Sequence, residues 1–150
     1  MRKHIVGLAC LLALVACDST SPGERFFAVM NTGNELPPLQ LLSSGTVNFT
    51  SKSGSISYTI IVQNITGVSF ARIYAGDGST NGTAVADLYT GPITGAIANG
   101  VLVSGTLTAA GFASLTMDSA LVLMRKGVAY VNVATVSRPG GEIRGQILLN

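Results

Sequence analysis

The sequence predicts an all-β domain, an antiparallel sandwich with one short helix near 118–126. From Arg25 onward apolar side chains recur with a period of two, as in strands that bury one face. Turn residues break that pattern at short intervals, which suits antiparallel strands joined by tight connections. Eighteen glycines stand against five Phe, four Tyr and no Trp, again a composition of short strands and turns. A chain of 150 residues gives one domain with a proper core. With 47% hydrophobic and only 11% charged residues, it has the opposite balance to a disordered protein.

The first element is an address. Arg2, Lys3 and His4 make a cationic start, and 5–15 is an unbroken run of apolar and small residues. That run is too short to span roughly 30 Å of hydrocarbon, which takes about 20 helical residues, and it fits the apolar region of a secretory signal peptide. Leu14-Val15-Ala16-Cys17 resembles a bacterial lipobox. The resemblance implies a lipoprotein signal peptide over 1–16, cleavage after Ala16 and a diacylglycerol on the Cys17 thiol. The alternative is an ordinary signal peptide, or a buried helix, with an incidental cysteine. Cys10 follows Gly7-Leu8-Ala9, which is no lipobox, and belongs to the apolar run. Residues 17–24 (CDSTSPGE) then form a polar tether carrying the lipid, and 25–150 form the domain.

The strands expected within it are 25–30, 44–51, 55–63, 68–75, 84–89, 100–107, 128–135 and 141–149. Pro37-Pro38 makes a rigid extended corner after the first, since both φ angles are fixed. In the third, Ile56, Tyr58, Ile60 and Val62 face inward while Ser57, Thr59 and Gln63 face water. Lys52-Ser53-Gly54 is a tight turn before it, so strands two and three form a hairpin. In the fourth, Arg72 falls in phase with Val68, Phe70 and Tyr74. If that face is inward, Arg72 requires a carboxylate partner, Glu142 or Asp87, because an unpaired buried charge is costly. The segment 77–82 (DGSTNG) reads as a surface turn, too poor in carboxylates for a calcium loop. In the helix, Asp118 is expected to cap the start, Arg125 and Lys126 to favour the negative end, and Gly127 to stop it.

Processing alters the charge and the chemistry. Arg2, Lys3 and His4 leave with the signal peptide. Arg25, Lys52, Arg72, Arg125, Lys126, Arg138 and Arg144 then balance Asp18, Glu24, Glu35, Asp77, Asp87, Asp118 and Glu142. A neutral chain argues against a nucleic-acid partner, which calls for a clustered basic surface. Without His or a free thiol it builds no Ser-His-Asp or Cys-His constellation and no His- or thiolate-based metal site. Two carboxylates suffice for glycoside hydrolysis, but the acids are scattered and no spacing singles out a pair. The expectation is no catalytic residue, no metal and no cofactor. Asn48, Asn64 and Asn81 each begin an Asn-x-Thr triplet, which a bacterial chain does not use as a eukaryotic glycan acceptor.

Two segments together carry a family resemblance. Phe26 and Val29 precede Asn34-Glu35-Leu36-Pro37-Pro38 and Gly45-Thr46-Val47-Asn48-Phe49. Near the end, Ala129-Tyr130-Val131-Asn132-Val133 precedes Arg138-Pro139-Gly140-Gly141-Glu142-Ile143-Arg144-Gly145-Gln146-Ile147. The ordered combination resembles the CHRD domain, in the form of a bacterial lipoprotein, over nearly all of 25–150. The resemblance implies an immunoglobulin-like β-sandwich with no general enzymatic activity. Many members carry a His-x-His after the fourth strand and another His beyond the YVNV stretch; here Arg72, Tyr74 and Ala134 stand at those positions, so a histidine metal site is lost.

Glu142, Arg144 and Gln146 share one face of the last strand, with Ile143 and Ile147 on the other. That polar face reads either as solvated, with a cross-strand ion pair worth about 0–1 kcal/mol, or as part of a recognition surface. Arg72, Tyr74, Asn132, Glu142 and Arg144 are the candidate polar cluster and Cys17 the candidate lipid site. The function expected is a non-catalytic, lipid-anchored module of the bacterial cell envelope that binds a protein or glycan partner. The alternative is a degenerate relative of a metal-binding or enzymatic domain. The sequence specifies neither the membrane that holds the anchor nor an oligomeric state.

Overall fold

A computed structural model of the protein describes residues 23–150. The lipobox, Cys17 and the signal segment 1–16 lie outside the described residues. The elements are β1 (Glu24–Asn31), β2 (Ser44–Lys52), β3 (Ser55–Thr66), β4 (Val68–Ala75), β5 (Thr83–Tyr89), β6 (Ala96–Leu107), α1 (Met117–Arg125), β7 (Ala129–Thr135), β8 (Arg138–Gln146) and β9 (Leu148–Leu149). Single 3-10 turns follow β1 and β6. The antiparallel all-β fold with one short helix is as expected from sequence.

The strands form one curled sheet in the order β5-β4-β7-β8-β1-β2-β3-β6, with β9 added beside β1. Its halves join where Asn31 of β1 pairs with Arg144 of β8. The curl brings the far ends together: the Tyr58 hydroxyl of β3 donates to the Leu88 carbonyl of β5 at 2.7 Å. The chain after β6 also bridges to β5, through Ala86 and Phe112.

The core follows from the period-two pattern. Ile56, Ile60 and Val62 of β3 are fully buried, with Tyr58 half-buried beside them. Phe26, Met30, Val47 and Phe49 fill the same layer from β1 and β2. The β2–β3 hairpin closes through Ser53 (φ 51°) and Gly54 (φ 75°), with Lys52 opposite Ser55. Positive φ at both central residues is what a two-residue hairpin turn demands, and glycine meets it without a Cβ clash.

The helix corrects one expectation. Its cap is Thr116, whose hydroxyl accepts from the Ser119 N–H at 3.2 Å. Asp118 sits inside the first turn, where its charge still complements the positive end. Gly127, at φ 66°, ends the helix as expected. Ala120, Leu121 and Met124 turn its apolar side to the core.

A second correction concerns β4. Its pairing with β7 shifts register between Val68 and Phe70. Past that shift Ala71 and Ile73 take the inner positions, while Phe70, Arg72 and Tyr74 are half-buried on the other face. Arg72 therefore does not face the core.

Candidate functional site

On the side of β4, β7 and β8 away from the core, antiparallel register sets polar side chains in rows. Arg72, Asn132 and Arg144 are cross-strand neighbours, and so are Tyr74, Tyr130 and Gln146. Such a face would ordinarily be wet. Two connections cover it instead: a strap of residues 32–43 and a loop of residues 76–82. Asn132 is 5% exposed, Glu142 8% and Arg144 1%.

Arg144 holds the loop. Its guanidinium donates to the carbonyls of Asp77 (2.6 Å) and Thr80 (2.8 Å) and to Asn81 Oδ1 (3.2 Å). It also lies 3.6 Å from the ring centroid of Tyr130, which is stacked on Tyr74 at 5.1 Å. Carbonyl dipoles and a π face thus take the place of the expected ion pair. Gln146 adds a second tie, donating from Nε2 to the carbonyls of Gly76, Gly127 and Ala129. The turn folds on itself as well: Asp77 Oδ1 accepts from the Ser79 N–H, the Ser79 hydroxyl and the Thr80 hydroxyl. Those donors hold its carboxyl below the usual range.

Polar ties hold the strap too. The Thr32 hydroxyl donates to the Leu39 and Leu41 carbonyls, and Asn34 Nδ2 donates to the Arg144 carbonyl. Glu142 accepts from the Ser43 hydroxyl on one oxygen and from the Thr135 hydroxyl on the other. Of the two acids expected to pair with Arg72, Asp87 is the partner, at 2.5 Å. That pair is open to solvent, with side chains 33% and 56% exposed.

Beneath the strap lies the residue that sequence reasoning missed. Glu35 is 5% exposed, and its Oε2 accepts from Asn132 Nδ2 at 3.2 Å. Burial pushes its carboxyl up to about 7, reinforced by the Glu142 charge and opposed by the Asn132 hydrogen bond and Arg144. Glu35 Oε1 and Asn132 Oδ1 are buried without a hydrogen-bond partner among the described residues. The available signal was an acid lodged in the apolar, proline-bearing run NELPP.

Glu35 also borders a cleft of ≈ 400 Å³, walled by Leu36, Pro37 and Leu39 of the strap, Asn81 of the loop and residues 137–141 of the β7–β8 turn. Gly141 is required beside it: at φ 133°, a Cβ would come 2.4 Å from Asn132 Nδ2. The candidate cluster is thus resolved into parts. Asn132 and Arg144 anchor the two connections, Tyr74 supports Tyr130 from outside, Glu142 pins the strap's far end, and Arg72 stands apart with Asp87. Among the described residues, no group of three or more His, Cys, Asp or Glu side chains is arranged to hold a metal.

Glu35, Leu36 and Pro37 on one side of this cleft and Arg138, Pro139, Gly140 and Gly141 on the other belong to the two segments that carried the resemblance in the sequence. Residues 26–147 match the family model described as the CHRD domain. The chain belongs to the CHRD domain family. No curated protein and no solved structure gives a significant match to it. The CHRD domain is a small β-domain, generally a non-catalytic module. In this CHRD domain the three positions of the histidine pattern share the strap side of the sheet: Arg72 and Tyr74 are half-buried there, and Ala134, paired with Phe70 and two residues from Asn132, is buried on the same side.

Proposed function

We propose that this CHRD protein is a non-catalytic binding module of the bacterial cell envelope, anchored through a lipid on Cys17, which takes a protein or glycan partner at the cleft between 34–38 and 137–141. The observation that carries the reading is the meeting of the two motif segments at one concave, mixed polar and apolar site. Leu36, Pro37, Leu39 and Pro139 supply rigid apolar contact, and Asn81 and Arg138 supply hydrogen-bonding groups. The lipobox supports the anchor, and the neutral mature chain speaks against nucleic acid.

The test uses the full-length protein in cells, with a photo-crosslinking residue at Ser137 on the cleft rim or at Ser104 on an exposed strand position away from it. Adducts from Ser137 alone, classified as protein or glycan by protease and glycosidase digestion, support the cleft. Equal adducts from both positions, or none, remove it. Cys17→Ser in the same cells is expected to release the domain from the membrane fraction; unchanged fractionation removes the anchor.

A further inference from the structure

Glu35 and Asn132 touch through only one arm of each side chain. Asn132 Nδ2 donates to Glu35 Oε2, which leaves Glu35 Oε1 and Asn132 Oδ1, both acceptors, both buried and both without a donor among the described residues. Burying one such oxygen unsatisfied costs about 1–3 kcal/mol, so two of them on one hydrogen-bonded pair of side chains ask for a cause. Turning the amide over does not supply one: it exchanges the arms and leaves an oxygen in the same want of a donor.

We propose that Glu35 and Asn132 share a proton in a cyclic acid–amide pair, Oε1–H donating to Oδ1 while Nδ2–H donates to Oε2, and that this proton latches the 32–43 strap onto the sheet. One proton satisfies both stranded oxygens and removes a buried charge, which no rearrangement of the carboxylate form achieves.

The charges around the pair come from every side. From β8, Arg144 favours the ionised form and Glu142 opposes it. From β7, Tyr130 carries the Arg144 guanidinium on its ring. From β4, Arg72 is in register with Asn132 but is engaged by Asp87 of β5. In the 76–82 loop, the Asp77 carboxylate is occupied by Ser79 and Thr80. Arg138 borders the same cleft from the β7–β8 turn. Burial outweighs the cations, and the carboxyl titrates at about 7 rather than at its ordinary 4.5. The latch is therefore closed in acid and released as pH rises through about 7. Because Glu35, Leu36, Pro37 and Leu39 wall the cleft, its shape follows the proton. The inference does not depend on what the cleft binds.

The test is carbon NMR of the full chain in detergent, labelled at the carboxyl carbon of glutamate, of which there are three: Glu24, Glu35 and Glu142. One resonance, absent in Glu35→Gln, is expected to titrate with a midpoint near 7 and to report a protonated acid at pH 5.5. Glu35→Gln replaces the proton with a permanent N–H donor, so its melting temperature is expected to stay level between pH 5 and 8 while that of the wild type falls. A Glu35 resonance already ionised at pH 5.5 overturns the proposal, with a buried water then in the proton's place. Parallel melting profiles for the two proteins overturn it as well. Should Glu35→Gln fail to fold, the wild-type titration decides: of the three carboxyl resonances, one near 7 upholds the proposal and none near 7 overturns it.

Discussion

The guanidinium of Arg144 lies 3.6 Å from the ring centroid of Tyr130, and both residues are buried on the side of the sheet away from the core. Among the described residues no carboxylate forms an ion pair with it; its donors go to two carbonyls and an amide oxygen of the 76–82 loop. The loop thus takes its shape from a cation built into β8. Removing that cation strands three acceptors and uncovers the Tyr130 face. Arg144→Ala is expected to cost about 3–5 kcal/mol, seen as a lower urea midpoint. Arg144→Lys should recover only part of it, since a lysine has no planar face to stack and no fork to reach several acceptors.

The Arg72–Asp87 pair is shorter than any contact of Arg144 but far less shielded. Water and salt screen it, so a double-mutant cycle on Arg72→Ala and Asp87→Ala should give a coupling of about 0–1 kcal/mol. The coupling should shrink further at 1 M salt. A coupling above about 2 kcal/mol would place the pair in a drier setting than its exposure indicates.

The strands and the Ser53-Gly54 turn were legible because both depend on local pattern: alternation against a core, and a residue that tolerates positive φ. The site was less so. Nothing in Gly67-Val68-Ser69-Phe70 announces the register shift that turns Arg72 away from the core, since a bulge adds no composition of its own. From sequence the face of Glu142 and Arg144 reads as an outer surface, solvated or a recognition surface, because alternating polar residues usually meet water. Its cover comes from chain far away in sequence: Glu35 reaches Asn132 across 97 positions. Local reasoning placed Asn132, Glu142 and Arg144 in one cluster but had no means to supply the lid above them.

The helix cap offers a direct check of one correction. Thr116→Ala removes the acceptor for the Ser119 N–H and should cost about 1 kcal/mol. Asp118→Ala removes only a favourable charge near the helix start, worth about 0.3–1 kcal/mol and less in salt. Thermal unfolding at low and high salt separates the two.

Gly141 is where backbone and site meet. A methyl group there would strike the Asn132 amide, and φ 133° is strained for any side chain. Gly141→Ala is expected to destabilise the domain by about 1–3 kcal/mol. It should also push the amide off Glu35. In the cyclic pair the same amide also accepts the Glu35 proton, so its displacement should move the midpoint of the glutamate carboxyl resonance away from the wild-type value near 7.

Stability against pH should form a dome with its maximum near pH 5, because two sets of carboxyls pull in opposite directions. Glu24, bonded to Arg125, and Asp77, bonded to its own turn, have folded-state pKa values below the ordinary 4.5 and 3.8. What they contribute is present above those values and is lost as pH falls through the lowered ones. Glu35 has the opposite sign: its folded value of about 7 exceeds the ordinary 4.5. Between those two pH values the folded chain holds the extra proton, so stability falls as pH rises. At about 1.4 kcal/mol per unit, the whole interval sets a ceiling of about 3 kcal/mol, which water entering under a released strap would reduce. Urea unfolding from pH 3.5 to 8 measures both limbs at once. Glu35→Gln should flatten the alkaline limb and leave the acid limb in place, whereas Glu24→Gln should weaken the acid limb alone.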